Sequence, residues 1–388
     1  MKVTASSVHN YKQTTKAYKH DFAKLLPRRS FERSILVISM GVYLIMAVYE
    51  IRDTEERGRG VFAKRNIKCG DLIIAEAPLF SVPPSLPFLD STEFVANYVT
   101  YSLKNKTEQQ REQSFSLVNN HKDKPAEYGI FSTNAMPLGQ GASQGGLFLI
   151  CSRFNHSCAA NAQYFYIETG KKENVFATKD IQKGDEITVC YLSDDIWRMP
   201  RDQRRAAILK EFHFLCQCQV CAKRKQKNVA KSDRRRQRQA ELDETTEDGK
   251  TIIQNPKKLL SYCKEALDVL RLLGESELRL RASTVYYDAS KICAVNSNFA
   301  ASNFFAGRAV DVRMDWQGRN AVGLGRYLEV VLNPHAHYNA GQTTLLKKDG
   351  EAFEKMCAQD EEKEAWLWKQ YATAEAGTRY APPQSKRP

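Results

Sequence analysis

The sequence predicts an α+β protein, with short β-strands in its first half and an all-α C-terminal region. One phrase occurs twice, at residues 61–73 and 175–187, with Val, Phe, Ala, Ile, Gly, Asp and Ile in register. Each copy is typical of a strand, a polar loop, a Gly-Asp turn and a second strand. From residue 259 onward, apolar side chains recur at helical spacing. We expect two similar β-units in one compact domain, followed by helices packed in pairs in a TPR-like manner.

The first 48 residues form a basic and apolar N-terminal extension. Residues 1–34 are polar and acid-poor, a composition that cannot bury enough apolar surface to fold alone. The apolar run Ile35–Tyr49 is shorter than the roughly 20 residues that cross a bilayer. A buried strand, a membrane span and a native start at Met46 remain as interpretations of this run. We do not expect a membrane span.

Charge and cysteine content bear on partners and compartment. The net charge is +13, which raises affinity for any polyanion without sequence specificity. Much of the excess lies in the first 35 residues and in residues 223–238 rather than on a folded face, so we expect no specific nucleic-acid site. Ten cysteines are too few for a disulfide scaffold of this length. They suit a reducing compartment, and we expect the nucleus, the cytoplasm or both.

Composition also divides the chain. The β-rich part spans residues 49–215, with a helical insert at about 84–130. Residues 223–250 are basic and then acidic and carry no apolar stripe, so we expect a solvated linker or an exposed helix. The alternative is a nuclear-import or polyanion-binding run. Helical spacing continues through residues 251–372, and residues 373–388 resemble a tail.

A cysteine cluster is the strongest chemical signal. Cys216, Cys218 and Cys221 form a C-x-C-x2-C pattern at residues 216–222, which is typical of a metal site. A structural zinc site needs four ligands, so the fold must supply one more. Candidates for that ligand are His213, Cys190, Cys158 and Cys151.

Four motifs occur in a fixed order along the chain. Glu56–Ala63 reads ERGRGVFA, Arg153–Cys158 reads RFNHSC, and Gly184–Tyr191 reads GDEITVCY, before the cysteine triplet. This set resembles the SET-domain protein lysine methyltransferases that carry a post-SET zinc cluster, over about residues 50–222. The helical region that follows is similar to that of the SET-and-MYND group and related fungal SET proteins.

The chain departs from this group in two places. Residues 74–150 contain no cysteine, so the MYND finger, a protein-docking module, is absent from its usual position. Ala160 stands where the family often has proline after N-H-S-C, while Asn161 remains. We expect this replacement to reduce the stiffness of the loop rather than change its chemistry.

The resemblance implies two cofactors, S-adenosylmethionine and a structural Zn²⁺. Cofactor-binding residues carried over by motif are Gly58, Arg59, Gly60, Asn155, His156, Tyr191 and Phe214. Tyr191 is also the implied catalytic residue, and Asn134 is a weaker match to a residue that lines the substrate site. For the metal, the resemblance implies Cys158 together with Cys216, Cys218 and Cys221.

Two functions follow as expectations. The first is a protein lysine N-methyltransferase, acting on a histone or another protein through in-line attack by a neutral lysine amine. The second is a catalytically weak SET-domain adaptor that binds a partner protein through its helical C-terminal region. A third hypothesis, that the protein binds nucleic acid, is supported by net charge alone.

Overall fold

The computed structural model describes residues 47–54, 57–82, 91–139, 142, 144–222, 226–246, 249–273, 278–317, 321 and 323–371. The expectations for residues 1–46, including most of the apolar run, lie outside this part of the chain, as do those for the tail. Within the described residues, no helix combines the length and the apolar character that crossing a membrane requires.

Short strands and helices alternate in the first half. Its strands are β1 (Tyr49–Thr54), β2 (Gly58–Ala63), β3 (Leu72–Glu76), β4 (Phe80–Val82), β5 (Met136–Pro137), β6 (Gly145–Leu147), β7 (Asn155–His156), β8 (Ala162–Ile167), β9 (Lys172–Ala177) and β10 (Glu186–Val189). Its helices are α1 (Thr92–Lys104), α2 (Glu108–Phe115), α3 (Ala126–Asn134), α4 (Asp194–Trp197) and α5 (Arg201–Phe212), with a 3₁₀ turn at Cys151–Arg153.

The second half is helical, as its apolar spacing predicts. Its helices are α6 (Gln226–Thr246), α7 (Gly249–Gln254), α8 (Pro256–Leu273), α9 (Leu278–Val295), α10 (Phe299–Gln317), α11 (Leu324–Leu332), α12 (Lys347–Glu354) and α13 (Asp360–Tyr371), with a 3₁₀ turn at Pro334–Ala336. Leu260, Ile292 and Phe305 are fully buried members of the predicted stripes. The α+β class is therefore confirmed.

Three small sheets form the β-rich part, in the orders β1-β2-β10-β7, β3-β9-β8 and β4-β6-β5. In the first sheet β10 pairs antiparallel with β2 and parallel with β7. This order places the segments 58–63, 186–189 and 155–156 side by side although they are far apart in sequence.

The two copies of the repeated phrase pair with each other. Ile67 and Ile181 exchange both backbone hydrogen bonds, each at 2.9 Å. The Gly70 N–H donates to the Ala177 carbonyl, and the N–H of its counterpart Gly184 donates to the Ala63 carbonyl, both at 2.8 Å. Both glycines have positive φ, +88° and +92°, which suits a residue without a Cβ. The repeat therefore produces a local pseudo-two-fold arrangement that joins β2 to β10 and β3 to β9.

The charged segment predicted as a linker differs from that expectation. Residues 226–246 form the helix α6, which packs on α8, and the side chains of Arg236 and Gln239 are fully buried. The sequence shows no apolar stripe because part of the buried face is polar. Two arginines of α6 are paired through their guanidinium groups. Arg235 donates to the Leu272 carbonyl at 2.7 Å, and Arg238 donates to both oxygens of Glu265.

A buried acid lies in the second sheet. Glu173 on β9 is directly opposite Glu76 on β3, is inaccessible to solvent, and has no hydrogen-bond partner for either carboxylate oxygen. Burial, and secondarily the charge of Glu76, raises the pKa of Glu173 to about 8. Near neutral pH this side chain is therefore mainly protonated in the folded protein.

Replacement of Glu173 by Gln should stabilise the protein increasingly as pH rises from about 5 to 8. In the unfolded chain the carboxyl ionises near pH 4.3, so above that pH the folded state of the wild type loses roughly 1.4 kcal/mol per pH unit until the folded pKa is reached. Denaturant unfolding across this range measures the effect, with Glu168→Gln at an exposed position as control. Parallel pH profiles for the wild type and Glu173→Gln would contradict the assignment.

Candidate active site

The glycine motif forms the start of β2. Gly58 has φ +67°, and a Cβ added there would lie 3.3 Å from Val118 Cγ2. A Cβ on Gly60 would lie 2.7 Å from Glu186 Oε1 and 2.9 Å from Asn155 Nδ2. The approaches at Gly60 are too close for a side chain, and the positive φ of Gly58 strains any other residue, so both positions favour glycine. Arg59, between them, is exposed and its Nε donates to Asp53 Oδ1 at 3.2 Å.

Glu186 organises the polar group beside Gly60. Its Oε1 accepts from Asn155 Nδ2 at 2.8 Å, and its Oε2 is paired with the guanidinium of Arg57. The pairing of β10 with β2 and β7 brings these side chains together. Neither Glu186 nor Arg57 is among the residues expected from the motifs, although both lie within them.

His156 connects the sheet to the cysteine cluster. Its Nδ1 accepts from the Tyr191 N–H at 3.0 Å, so the ring proton of the neutral imidazole lies on Nε2. Nε2 is 3.4 Å from Cys158 Sγ and can donate to it. Burial chiefly lowers the pKa of His156 to about 4; Cys218 raises that pKa and Arg204 lowers it further. The ring is therefore neutral at physiological pH.

Tyr191 follows β10 and is half-buried. Its hydroxyl donates to the Phe154 carbonyl at 2.6 Å, which leaves the lone pairs of the phenol oxygen available as acceptors. Burial raises the pKa of Tyr191; the charge of Glu186 acts in the same direction and Arg57 opposes it. The hydroxyl therefore stays protonated throughout the physiological range.

Aromatic rings line one side of this group. The ring centroid of Tyr191 is 5.3 Å from that of His156 and 5.0 Å from that of Phe212. Phe214 lies 6.2 Å from His156 and 6.5 Å from Phe212. Phe214 thus lies beside the N-H-S-C segment, and its role in cofactor binding remains a prediction. The ring of Phe212 is about as close to that of Tyr191 as the ring of His156 is. No motif in the sequence marks Phe212, which lies at the end of α5.

The helical insert closes another side of the group. Asn120 Nδ2 donates to the Phe212 carbonyl at 2.7 Å, and Val118 lies against Gly58. Asn134 is buried, and its amide donates to the carbonyls of Val118 and Ile130 at 2.6 and 2.7 Å. It supports the segment beside the glycine loop, and its substrate-site role remains a prediction.

The four predicted metal ligands converge. The sulfur atoms of Cys158, Cys216, Cys218 and Cys221 lie within 4.8 Å of one another, and those of Cys158 and Cys221 are 3.6 Å apart. Four sulfurs at about 2.3 Å from a tetrahedral zinc would be roughly 3.8 Å apart, so the cluster fits this ion. The other three candidates for the fourth ligand, His213, Cys190 and Cys151, are outside this cluster.

Comparison with known proteins finds relatives of one kind. Residues 58–192 match the family described as SET domain. This part of the chain is a SET domain, and the chain is similar to proteins named as lysine methyltransferases. It is 27% identical to the histone-lysine N-methyltransferase set5 of Schizosaccharomyces pombe over 294 residues, 75% of this chain and 85% of that protein.

Other relatives match over shorter segments. The protein-lysine N-trimethyltransferase SMYD5 of Danio rerio is 32% identical over 29% of this chain and 26% of its own. The Drosophila melanogaster SET domain-containing protein SmydA-8, isoform A, is 36% identical over 24% of this chain and 20% of its own. These two matches span 26% and 20% of the relatives' own length.

Replacement of Cys158 by Ser should abolish stoichiometric zinc binding, because the cluster would keep three thiolates and zinc prefers a complete tetrahedral set. Elemental analysis of purified protein is the measurement, with an expected one zinc per chain in the wild type. Cys357→Ser, at an exposed position away from the cluster, is the matched control and should retain the metal. Full zinc occupancy in Cys158→Ser would contradict the assignment.

Proposed function

We propose that this protein is an S-adenosylmethionine-dependent protein lysine N-methyltransferase whose substrate is a lysine of a histone or of another protein. The observation that carries the proposal is the placement of Tyr191, His156 and Asn155 around the glycine loop, with a phenol oxygen held as an acceptor. The name of the S. pombe relative supports histone among the substrate classes.

The cofactor would be held by groups that the fold already brings together. When bound, S-adenosylmethionine supplies an electrophilic methyl group. Because Gly58 and Gly60 carry no side chains, the backbone of this loop would be able to approach the cofactor closely. Beside the glycine loop, Asn155 would provide an amide, His156 a backbone segment and Phe214 an aromatic face. Arg59 is exposed, which leaves its backbone as its contribution.

Tyr191 would act on the lysine amine. A lysine with pKa near 10.4 must lose a proton before it can attack, and a narrow apolar site beside a cation favours the neutral amine. Because its hydroxyl proton is committed to the Phe154 carbonyl, the Tyr191 oxygen can accept from an amine N–H and aim the nitrogen lone pair. The raised pKa keeps the phenol neutral, so it orients the amine as a fixed dipole.

The zinc would be structural in this proposal. The four cysteine sulfurs would take all four positions of a tetrahedral zinc, which would leave no position for an activated water. The metal would hold the N-H-S-C segment against the turn that carries Phe214. We also place the protein in the nucleus, the cytoplasm or both, where the cysteines would remain reduced.

Tyr191→Phe should lower kcat roughly 10²-fold, the magnitude typical for loss of one preorganised dipole in an active site. Asn155→Ala should mainly weaken S-adenosylmethionine binding. Transfer of labelled methyl groups to histones and to cell extract measures the first effect, and calorimetry measures the second. Tyr101→Phe, at a tyrosine that is 67% exposed on α1, is the control and should leave both unchanged.

Labelling that persists in the Tyr191→Phe Asn155→Ala double variant would contradict the residue roles. Absence of S-adenosylmethionine binding by zinc-loaded wild type would contradict the enzyme and favour the adaptor, which acts through its helical region alone.

A further inference from the structure

A buried tryptophan stands between the cysteine cluster and the helical region. Trp197 ends α4 and is 1% exposed. Its indole Nε1 donates to the carbonyl of Cys158 at 3.4 Å. That carbonyl belongs to one of the four converging cysteines, two residues after His156. Trp197 thus contacts the backbone that positions both the cluster and the candidate active site.

Two arginines of the helical region hold the indole. The guanidinium carbon of Arg236 on α6 lies 4.2 Å from the Trp197 ring centroid, and that of Arg281 on α9 lies 4.9 Å away. Both distances are within the range of cation–π attraction, which is strongest when the groups are desolvated, as the fully buried Arg236 is here. Arg236 Nη1 also donates to the Trp197 carbonyl at 2.8 Å.

One carboxylate, that of Asp243, holds Arg281 and connects it to the residue after Trp197. Asp243 on α6 lies 3.6 Å from Arg281 Nη1 and 3.0 Å from Arg198 Nη1, which is next to Trp197 in the chain. Gln239 also donates to Asp243, at 2.8 Å. The arrangement is therefore a polar network that spans α4, α6 and α9, rather than a single contact.

Helix α6 also supports α5, and α5 leads into the cysteine triplet. Arg204 on α5 is fully buried, donates to the Met199 carbonyl at 2.6 Å and lies 3.7 Å from Asp233 on α6. Asp233 also accepts from the Arg201 N–H at 2.9 Å. Since Phe212 is the last residue of α5 and Phe214 and Cys216 follow directly, the position of α5 determines theirs.

Apolar packing also groups the cysteines with the helical region. Cys158, Cys216 and Cys221 belong to one hydrophobic cluster with Trp197 and with helical-region residues such as Leu242. The sheet residues Val61, Ile187 and Phe154 form a separate cluster. The cysteines are thus packed into the core of the helical region, although Cys158 comes from the SET domain.

We propose that Trp197, clamped by Arg236 and Arg281, is a positioning residue through which the helical region holds the Cys158 loop and so controls zinc retention and cofactor affinity. The part concerning the cofactor rests on the proposed function, whereas the part concerning zinc does not. The basic run of α6 then serves as an internal support in the folded protein.

The test compares Arg236→Gln with Arg234→Gln in the full zinc-loaded chain, since Arg234 lies on the same helix but is exposed. Loss of a residue that supports metal ligands typically lowers metal affinity roughly 10- to 100-fold. We expect zinc transfer to a chromogenic chelator to be faster by about that factor in Arg236→Gln only. In cobalt-substituted protein, the thiolate-to-cobalt absorption band should shift in the same variant.

Trp197→Phe provides a second variant that keeps an aromatic ring but removes the N–H donor, in case Arg236→Gln fails to fold. In active protein, both variants should raise KM for S-adenosylmethionine more than they lower kcat. The proposal would be overturned if Arg236→Gln and Trp197→Phe matched Arg234→Gln in the rate of zinc release, in the cobalt absorption band and in KM. The two proposals can also fail separately. If the wild type shows no methyl transfer but the variants still release zinc faster, the result would support the clamp and contradict only the proposed function.

Discussion

The geometry of the candidate active site depends on one neutral imidazole. The His156 ring accepts from the backbone N–H of Tyr191 through Nδ1 and faces the sulfur of Cys158 through Nε2. Each nitrogen has a different role, so the ring must keep a single tautomer, and burial favours that state by lowering the pKa to about 4. A protonated ring could not accept from Tyr191. The position of Tyr191 and that of the cysteine cluster are therefore coupled through one side chain.

The surrounding architecture explains how distant segments reach this ring. The two copies of the repeated phrase pair with each other and align β2 with β10, which sets Gly60 against Glu186 and Asn155. The parallel pairing of β7 with β10 then brings His156 beside Val189. On the other side, the cysteine cluster joins the segment after α5 to Cys158. Sheet pairing thus supplies one half of the site and the cluster supplies the other.

Much of the fold could be predicted because it follows periodicity and turn chemistry. The Gly-Asp turns at Gly70 and Gly184, and the apolar stripes of α8 and α10, are local signals that packing does not override. The fourth cysteine was different. Spacing alone left candidates open because Cys158 is brought to the triplet only by tertiary structure, and the family resemblance selected it. The residue roles inside the site are still predictions.

Other features had no local signal. The segment 226–246 lacks an apolar stripe because part of its buried face consists of arginines and a glutamine, which donate to carbonyls and a carboxylate and, in the case of Arg236, lie over an indole ring. Glu173 reads as an ordinary polar strand position, yet it is buried opposite another glutamate. Phe212 and Trp197 owe their importance to contacts with residues that are distant in sequence.

The four-cysteine cluster should hold the candidate active site together, while the β-sheets form without it. Hydrogen exchange, mapped along the chain with zinc bound and after zinc removal, is the measurement that separates these two parts of the structure. We expect metal removal to expose the amides of residues 155–158 and 212–222 and to leave those of β8 and β9 protected. Unchanged protection at residues 155–158 after zinc removal would contradict it.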